Sequence, residues 1–287
     1  LDAHVGAIGF GLLTALMFAT SGLCSSRSIR MINQASVAAW VMMIGLAVTL
    51  PFAIVEGVPD GLTRANTIWL AVSGVGNVGG LLISYAAFRV GKVGVVMPVL
   101  SAEGAIAATL SALTGESIAP VAAYLLMFIV VGVVISAVAP DPVPLDHERP
   151  VAAVLLSTAA AVAFGVSLFA TGHISGELPI SWLLLPPRIV GVLALAIPLL
   201  LLRRLEISRK ALPLVVVSGL AEVVGFASYV LGARVSVAIA SVLASQFALI
   251  GALMAFVLFR ERLGKLQILG VAILVTGVAG LALAVNT

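Results

Sequence analysis

The sequence predicts an all-α membrane protein of ten transmembrane helices arranged as two inverted five-helix repeats. Two observations carry this reading: apolar stretches of spanning length follow one another along the chain, and the second half repeats the first at a constant offset. Of 287 residues, 62% are hydrophobic and only 9% are charged, against roughly 25% charged in a soluble domain. A soluble fold cannot solvate such a surface.

Ten runs stand out, at 6–25, 35–55, 67–88, 93–114, 120–139, 151–172, 180–202, 211–232, 237–259 and 265–285. Each is close to the roughly 20 residues a helix needs to cross the hydrocarbon core. They are continuously apolar and too long for barrel strands of about ten residues, and a helix satisfies its own backbone in lipid. The first run reads as a spanning helix rather than a cleaved leader, because nine similar runs follow it. The connections are too short to hold a soluble domain with its own core. The single cysteine, Cys24, excludes an internal disulfide. A net charge of +3 comes from basic residues scattered at helix ends, the pattern of a chain facing anionic headgroups rather than nucleic acid.

At an offset of 145 residues, Ser73-Gly74 meets Ser218-Gly219, Gly80 meets Gly225, Arg89 meets Arg234, Glu116 meets Glu261, and Gly132 meets Gly277. Apolar coincidences mean little in this composition, whereas matched Arg, Glu and Gly at one spacing mark a duplication. The predicted organisation is a first repeat at 1–140, a linker at 141–150 and a second repeat at 151–287. Five helices per repeat is an odd number, so the second copy enters the membrane from the opposite side. Inverted repeats are a construction of secondary transporters, with the substrate site near the midplane where the halves meet. No phosphate-binding loop for ATP is present.

Ten helices in two repeats, Gly115-Glu116 after the fourth run and Arg260-Glu261-Arg262-Leu263 at the matching place resemble the drug/metabolite transporter superfamily of EamA type. The resemblance covers nearly the whole chain, and its subgroup of bacterial aromatic amino acid and paraquat exporters is the nearest in character. It implies a multi-pass protein of the bacterial inner membrane that exports small metabolites by alternating access, with no cofactor. The first run lacks the glutamate of the related four-helix multidrug pumps, so that proton site does not carry over. Charge counting places the odd-numbered loops in the cytoplasm and both termini outside, since those loops hold twelve Lys and Arg and the even ones only Arg64 and Arg234. The family resemblance implies termini inside.

Polar residues inside spanning segments are costly and mark function by default. In the third run Ser73, Asn77, Gly80 and Ser84 share one helix face, with Tyr85 beside it. The eighth run repeats the stripe as Ser218, Glu222, Gly225 and Tyr229. Two inverted stripes are expected of helices lining opposite walls of one cavity, although Ser and Gly equally serve helix packing. Ser101 in the fourth run meets Gln246 in the ninth, joined by Ser241 and Ser245 and by the unmatched Glu103, and Pro98 is expected to kink the fourth run just before them. Met17, Phe18 and Ser21 in the first run, and Phe164 and Ser167 in the sixth, add aromatic and small polar groups from both halves. Arg188 follows Pro186-Pro187 in the seventh run and resembles an arginine that many EamA proteins carry there. It reads as a bidentate partner for a substrate carboxylate, as a partner of Glu222, or as a snorkelling side chain. Trp69, Trp182 and His173 read as interfacial.

Gly74-Val75-Gly76-Asn77-Val78-Gly79 spells a dinucleotide-binding fingerprint, but it lies inside a spanning run without the strand that motif requires, and close helix packing explains its glycines. The expected partners are the lipid bilayer and a small-molecule substrate, an amino acid first and a hydrophobic cation second. An intramembrane lipid-modifying enzyme is disfavoured because no nucleophile, base and orienter cluster appears. A channel would show rings of like residues rather than two single stripes.

Overall fold

The computed structural model describes residues 2–115, 148–247 and 264–284, with isolated helical positions at 124–135 and 250–257. Its elements are α1 (Asp2–Ser28), α2 (Gln34–Glu56), α3 (Arg64–Val90), α4 (Val93–Leu100), α5 (Ala102–Leu113), α6 (Pro150–His173), α7 (Ile180–Gly191), a π-helical turn (Val192–Ala196), α8 (Ile197–Leu201), α9 (Leu212–Ala233), α10 (Val237–Ala244) and α11 (Lys265–Ala284). Seven spans among the described residues are long and apolar enough to cross a membrane. They coincide with the first four runs and the sixth to eighth. Most of the fifth run and part of the ninth fall outside the described residues, as do Glu116 and Glu261.

Local chemistry sets the helix boundaries. The Asn33 side chain accepts from the Ala35 amide, Thr63 from Asn66 and Ser236 from Ile239, each occupying a donor that the first helical turn leaves free. Gly57 ends α2 at φ 73°, a conformation that side-chain-bearing residues rarely adopt.

Two runs expected to be single helices are divided. The fourth breaks at Ser101, between α4 and α5, and the ninth leaves the α-helix at Ser245, the matching region of the second repeat. Pro98 weakens the first of these by removing a backbone donor, but α10 contains no proline. The seventh run passes through the π turn, where the Ile197 amide donates to the Val192 carbonyl five residues back. Pro198 follows directly and cannot donate, so the wider turn relieves its ring against the preceding carbonyls.

The most extensive helix pairs are α3 with α6 and α1 with α9. They are the same pair seen from each repeat. On α1, Phe18 lies against Gly225 and Ser25 bonds Ser218, while on α6, Phe164 lies against Gly80 and Thr171 bonds Ser73. Partner numbers fall as the helix number rises, so both pairs are antiparallel. Small residues permit the close approach: a Cβ on Gly76 would come within 2.9 Å of the Ala163 carbonyl oxygen, and one on Gly74 within 3.1 Å of that of Pro186. Gly74 and Gly76 of the fingerprint look-alike are therefore packing residues in the middle of α3, whereas Gly79 faces open space.

The second helices of the two halves are clasped at both ends by similar bonds. Trp40 Nε1 donates to the Glu206 carbonyl at 3.0 Å, and Trp182 Nε1 donates to the Gly57 carbonyl at 2.8 Å. The Asn33 amide donates to the Glu206 carboxylate at 2.9 Å, and the Ser181 hydroxyl donates to that of Glu56. Trp69 meets Phe169 edge to face and His173 at a tilt near a helix end, away from the centre.

Candidate functional site

Between the crossed pairs lies a cavity of about 80 Å³, against the roughly 10–15 Å³ that one buried water requires. Helix α1 contributes Phe18, Ser21, Gly22 and Ser25, and α3 contributes Asn77, Leu81, Ser84, Tyr85 and Phe88. Met97 and Leu100 come from α4, Glu103 from α5, Phe164 and Leu168 from α6, Glu222 and Phe226 from α9, and Phe247 lies just past α10. Both halves of the chain therefore supply walls, and each supplies one carboxylate.

Glu222 and Glu103 are only 7% and 4% exposed. Asn77 and Ser21 lie within hydrogen-bonding reach of the Glu222 carboxylate, and the two carboxylates are near enough to act on one another electrostatically. Behind Glu222 runs a chain of hydroxyls. Ser25 Oγ is 2.8 Å from Tyr85 OH and 2.7 Å from Ser218 Oγ, which is 2.9 Å from Ser21 Oγ. Such a network fixes the α1–α9 seam, and with it the position of the carboxylate. The Asn77 Oδ1 is buried with no hydrogen-bond partner among the described residues. It is an acceptor on the cavity wall, open to a donor that enters the cavity.

Of the fifteen residues singled out from the sequence, Phe18, Ser21, Asn77, Ser84, Tyr85, Glu103, Phe164 and Glu222 line this cavity. The others do not reach its wall. Met17 packs along α1 beside Gly225. Ser167 donates to the Ser73 carbonyl at 2.9 Å, and Tyr229 donates to that of Leu168 at 2.8 Å, so both seal helix seams. Ser101 donates to the Pro98 carbonyl at 2.6 Å inside the break of the fourth span, so that oxygen meets a side chain of its own helix. Ser245 meets Gly104 where α5 crosses α10, and Gln246 follows it in the turn. The two stripes are thus mixed: Asn77, Ser84 and Glu222 face the cavity, while Ser73, Ser218, Gly80, Gly225 and Tyr229 hold helices together.

Arg188 is 1% exposed, and its Nη1 and Nη2 have no hydrogen-bond partner among the described residues. Its stem passes Gly45, where an added Cβ would meet Cγ at 3.0 Å and Nε at 3.1 Å. The guanidinium carbon lies 5.2 Å from the centroid of the Phe226 ring, within cation–π range. Phe226 is shared, lining the cavity and carrying this cation on its face. Arg188 makes no direct hydrogen bond to Glu222, although the two are electrostatically coupled.

The cavity residues that sequence reasoning missed are Gly22, Ser25, Leu81, Phe88, Met97, Leu100, Leu168, Phe226 and Phe247. Ser25 alone carried a signal, one helical turn beyond Ser21 on the same face. The apolar members are indistinguishable in sequence from residues that meet lipid.

Phe164 on Gly80 and Phe18 on Gly225 show how the seams shape the cavity, since a Cβ on either glycine would come within 2.9 Å of the ring carbons. Gly80→Ala and Gly225→Ala are each expected to push a phenylalanine toward the cavity and slow transport several-fold. Overpacking at such sites costs about 1–3 kcal/mol. Initial rates in proteoliposomes and melting temperatures check this, and the double variant should be slower than either single one.

A family model described as EamA-like transporter family matches residues 5–138 and again 151–283. A solved structure described only as the crystal structure of a protein is similar in fold, with TM-score 0.70 and 19% identity over 98% of this chain and 97% of that one. Comparison with curated proteins gives no match. The matched halves cover almost the whole chain and are the two halves whose helices cross to enclose the cavity, and the chain belongs to the EamA-like transporter family.

Proposed function

We propose that this protein is a secondary transporter whose cargo is a small solute with an ammonium group and an apolar portion, moved outward across a bacterial-type inner membrane by alternating access. Family membership assigns it to membrane transport of small solutes. The reading takes the chain as ten helices in two inverted five-helix repeats, 1–140 and 151–287, joined by 141–150. The antiparallel pairing of α1 with α9 and of α3 with α6 supports inversion, because α1 and α3 then run opposite to their counterparts in the second half.

The observation that carries the cargo is the pairing of Glu103 and Glu222 with aromatic walls in one cavity. Carboxylates recognise an ammonium by charge-assisted hydrogen bonds. The faces of Phe18, Phe88, Phe164, Phe226 and Phe247 offer both apolar area and negative quadrupole potential to a cation. A second reading, an exporter of amino acids, draws on one observation: the Arg188 nitrogens beside Phe226, without a hydrogen-bond partner among the described residues, are donors for a carboxylate once that ring turns aside.

Counterflow of labelled phenethylamine into proteoliposomes tests the proposal. Saturable accumulation, competed by unlabelled amine, is the expected result. Competition by phenylalanine at equal concentration would favour the amino acid reading. Absence of saturable flux for both compounds would overturn the assignment of an ammonium-bearing cargo.

A further inference from the structure

We infer that Arg188 sets the charge of the cargo, making the central cavity selective for a solute with one positive charge over a solute with two. The inference rests on the proposed ammonium-bearing cargo and narrows it.

The charge ledger of the centre is short. Among the described residues, every Asp, Glu, Lys and Arg other than Glu103, Glu222 and Arg188 stands near or beyond an end of the seven spans. Those three are buried together in the middle. Arginine keeps its proton in proteins, so with both carboxylates ionised the centre holds one negative charge in excess. A monocation brings it to neutrality. A dication leaves one positive charge in excess, and a neutral zwitterion leaves the deficit as it was. In a low-dielectric interior such an imbalance is weakly screened, so a cation that never touches the cargo still acts on it.

Three features make Arg188 a fixed element of this ledger rather than a stray side chain. Its stem is wedged against Gly45, where even a methyl group would crowd it. Its guanidinium rests on Phe226, a wall of the cavity. Its terminal nitrogens are not hydrogen-bonded to either glutamate, so neither carboxylate is occupied by it and both remain available to cargo. Arg188 therefore offsets one carboxylate without blocking it. It is a specificity residue acting through the field of the site.

The experiment compares two inhibitors of phenethylamine counterflow that share their ring chemistry and differ in charge, 1-methyl-4-phenylpyridinium with one and methyl viologen with two. In the wild type the monocation is expected to compete at least tenfold better. In Arg188→Met the preference should shift toward methyl viologen by tenfold or more, and Arg188→Lys, which keeps the charge, should stay near the wild-type ratio. Glu103→Gln reads the same ledger from the other side, and should weaken the monocation at least tenfold. Equal competition by both inhibitors in the wild type would overturn the inference, as would a folded Arg188→Met with an unchanged ratio. If Arg188→Met does not fold, an unchanged monocation affinity in Glu103→Gln overturns it alone. Absence of phenethylamine counterflow in the wild type would instead remove the proposed cargo, and the inference with it.

Discussion

Glu222→Gln is expected to weaken binding of an ammonium-bearing cargo by roughly ten- to a hundredfold while the protein still folds. Hydrogen bonds to charged groups contribute about 1.5–3 kcal/mol, and each 1.4 kcal/mol is a factor of about ten. The amide keeps the shape of the side chain, and its oxygen can still accept from Asn77 and Ser21, whose reach toward the carboxylate places it in the cavity. Folding should survive because Arg188 makes no hydrogen bond to Glu222 that the change would break. The cation does lose a compensating field, and a modest fall in melting temperature is expected, smaller than the roughly 3–5 kcal/mol seen when a directly bonded buried pair is split. Binding isotherms and thermal melts on the purified variant check both halves of the statement. Unfolding of Glu222→Gln would show that the carboxylate is a structural partner first, and the double variant with Arg188→Met would then recover much of the stability.

Gly104→Ala is the substitution with the largest expected structural effect. Its Cβ would lie 2.4 Å from the Ser241 carbonyl oxygen and 2.4 Å from Ser245 Oγ. The hydroxyl can rotate away, but the carbonyl belongs to the backbone of α10 and moves only if the helix moves. Overpacking of this kind costs about 1–3 kcal/mol, partly offset by the roughly 1 kcal/mol that alanine gains over glycine in a helix. The contact joins α5 to α10, the broken fourth helices of the two repeats, next to Glu103. Discontinuous helices are where transporters place their binding sites. Gly104→Ala is therefore expected to lower the melting temperature and to reduce flux at least tenfold. Ser245→Gly added to it should recover only part of the loss, because the backbone clash remains.

Much of the architecture was legible because membrane physics leaves the chain few options. Spanning length and continuous apolarity located the seven described spans, and the matched Ser, Gly and Arg at offset 145 revealed the duplication, but not that α1 crosses α9 and α3 crosses α6. The same matching anticipated that Ser73 and Ser218 occupy equivalent places. It did not reveal that both hold helix seams, since a polar stripe looks the same whether the opposing surface is a neighbouring helix or a cavity. Glu222 stood out because helix packing poorly explains a carboxylate at that depth, and Asn77 because it stands at the matching place on the other stripe. Phe88, Phe226 and Phe247 did not, because in a chain that is 62% hydrophobic a cavity-lining ring and a lipid-facing ring have the same sequence context. Arg188 was legible as an anomaly, and its placement was not: only the fold brings it beneath Phe226 rather than into the cavity. The break in the fourth span was signalled by Pro98, whereas its counterpart at Ser245 carries no proline and follows from the symmetry of the repeats.

If the cavity between the two halves is the cargo site, cargo should protect a cysteine placed at Ser84 from labelling. Ser84 lines the cavity and donates only to the Leu81 carbonyl of its own helix, so a thiol replaces its hydroxyl at little cost. With Cys24, the one native cysteine, changed to serine, Ser84→Cys should react with a charged, water-soluble thiol reagent, and saturating phenethylamine should slow that reaction at least several-fold. A thiol reached only by lipid-soluble reagents, or labelled at the same rate with and without cargo in protein that still transports it, would mean that cargo binds elsewhere.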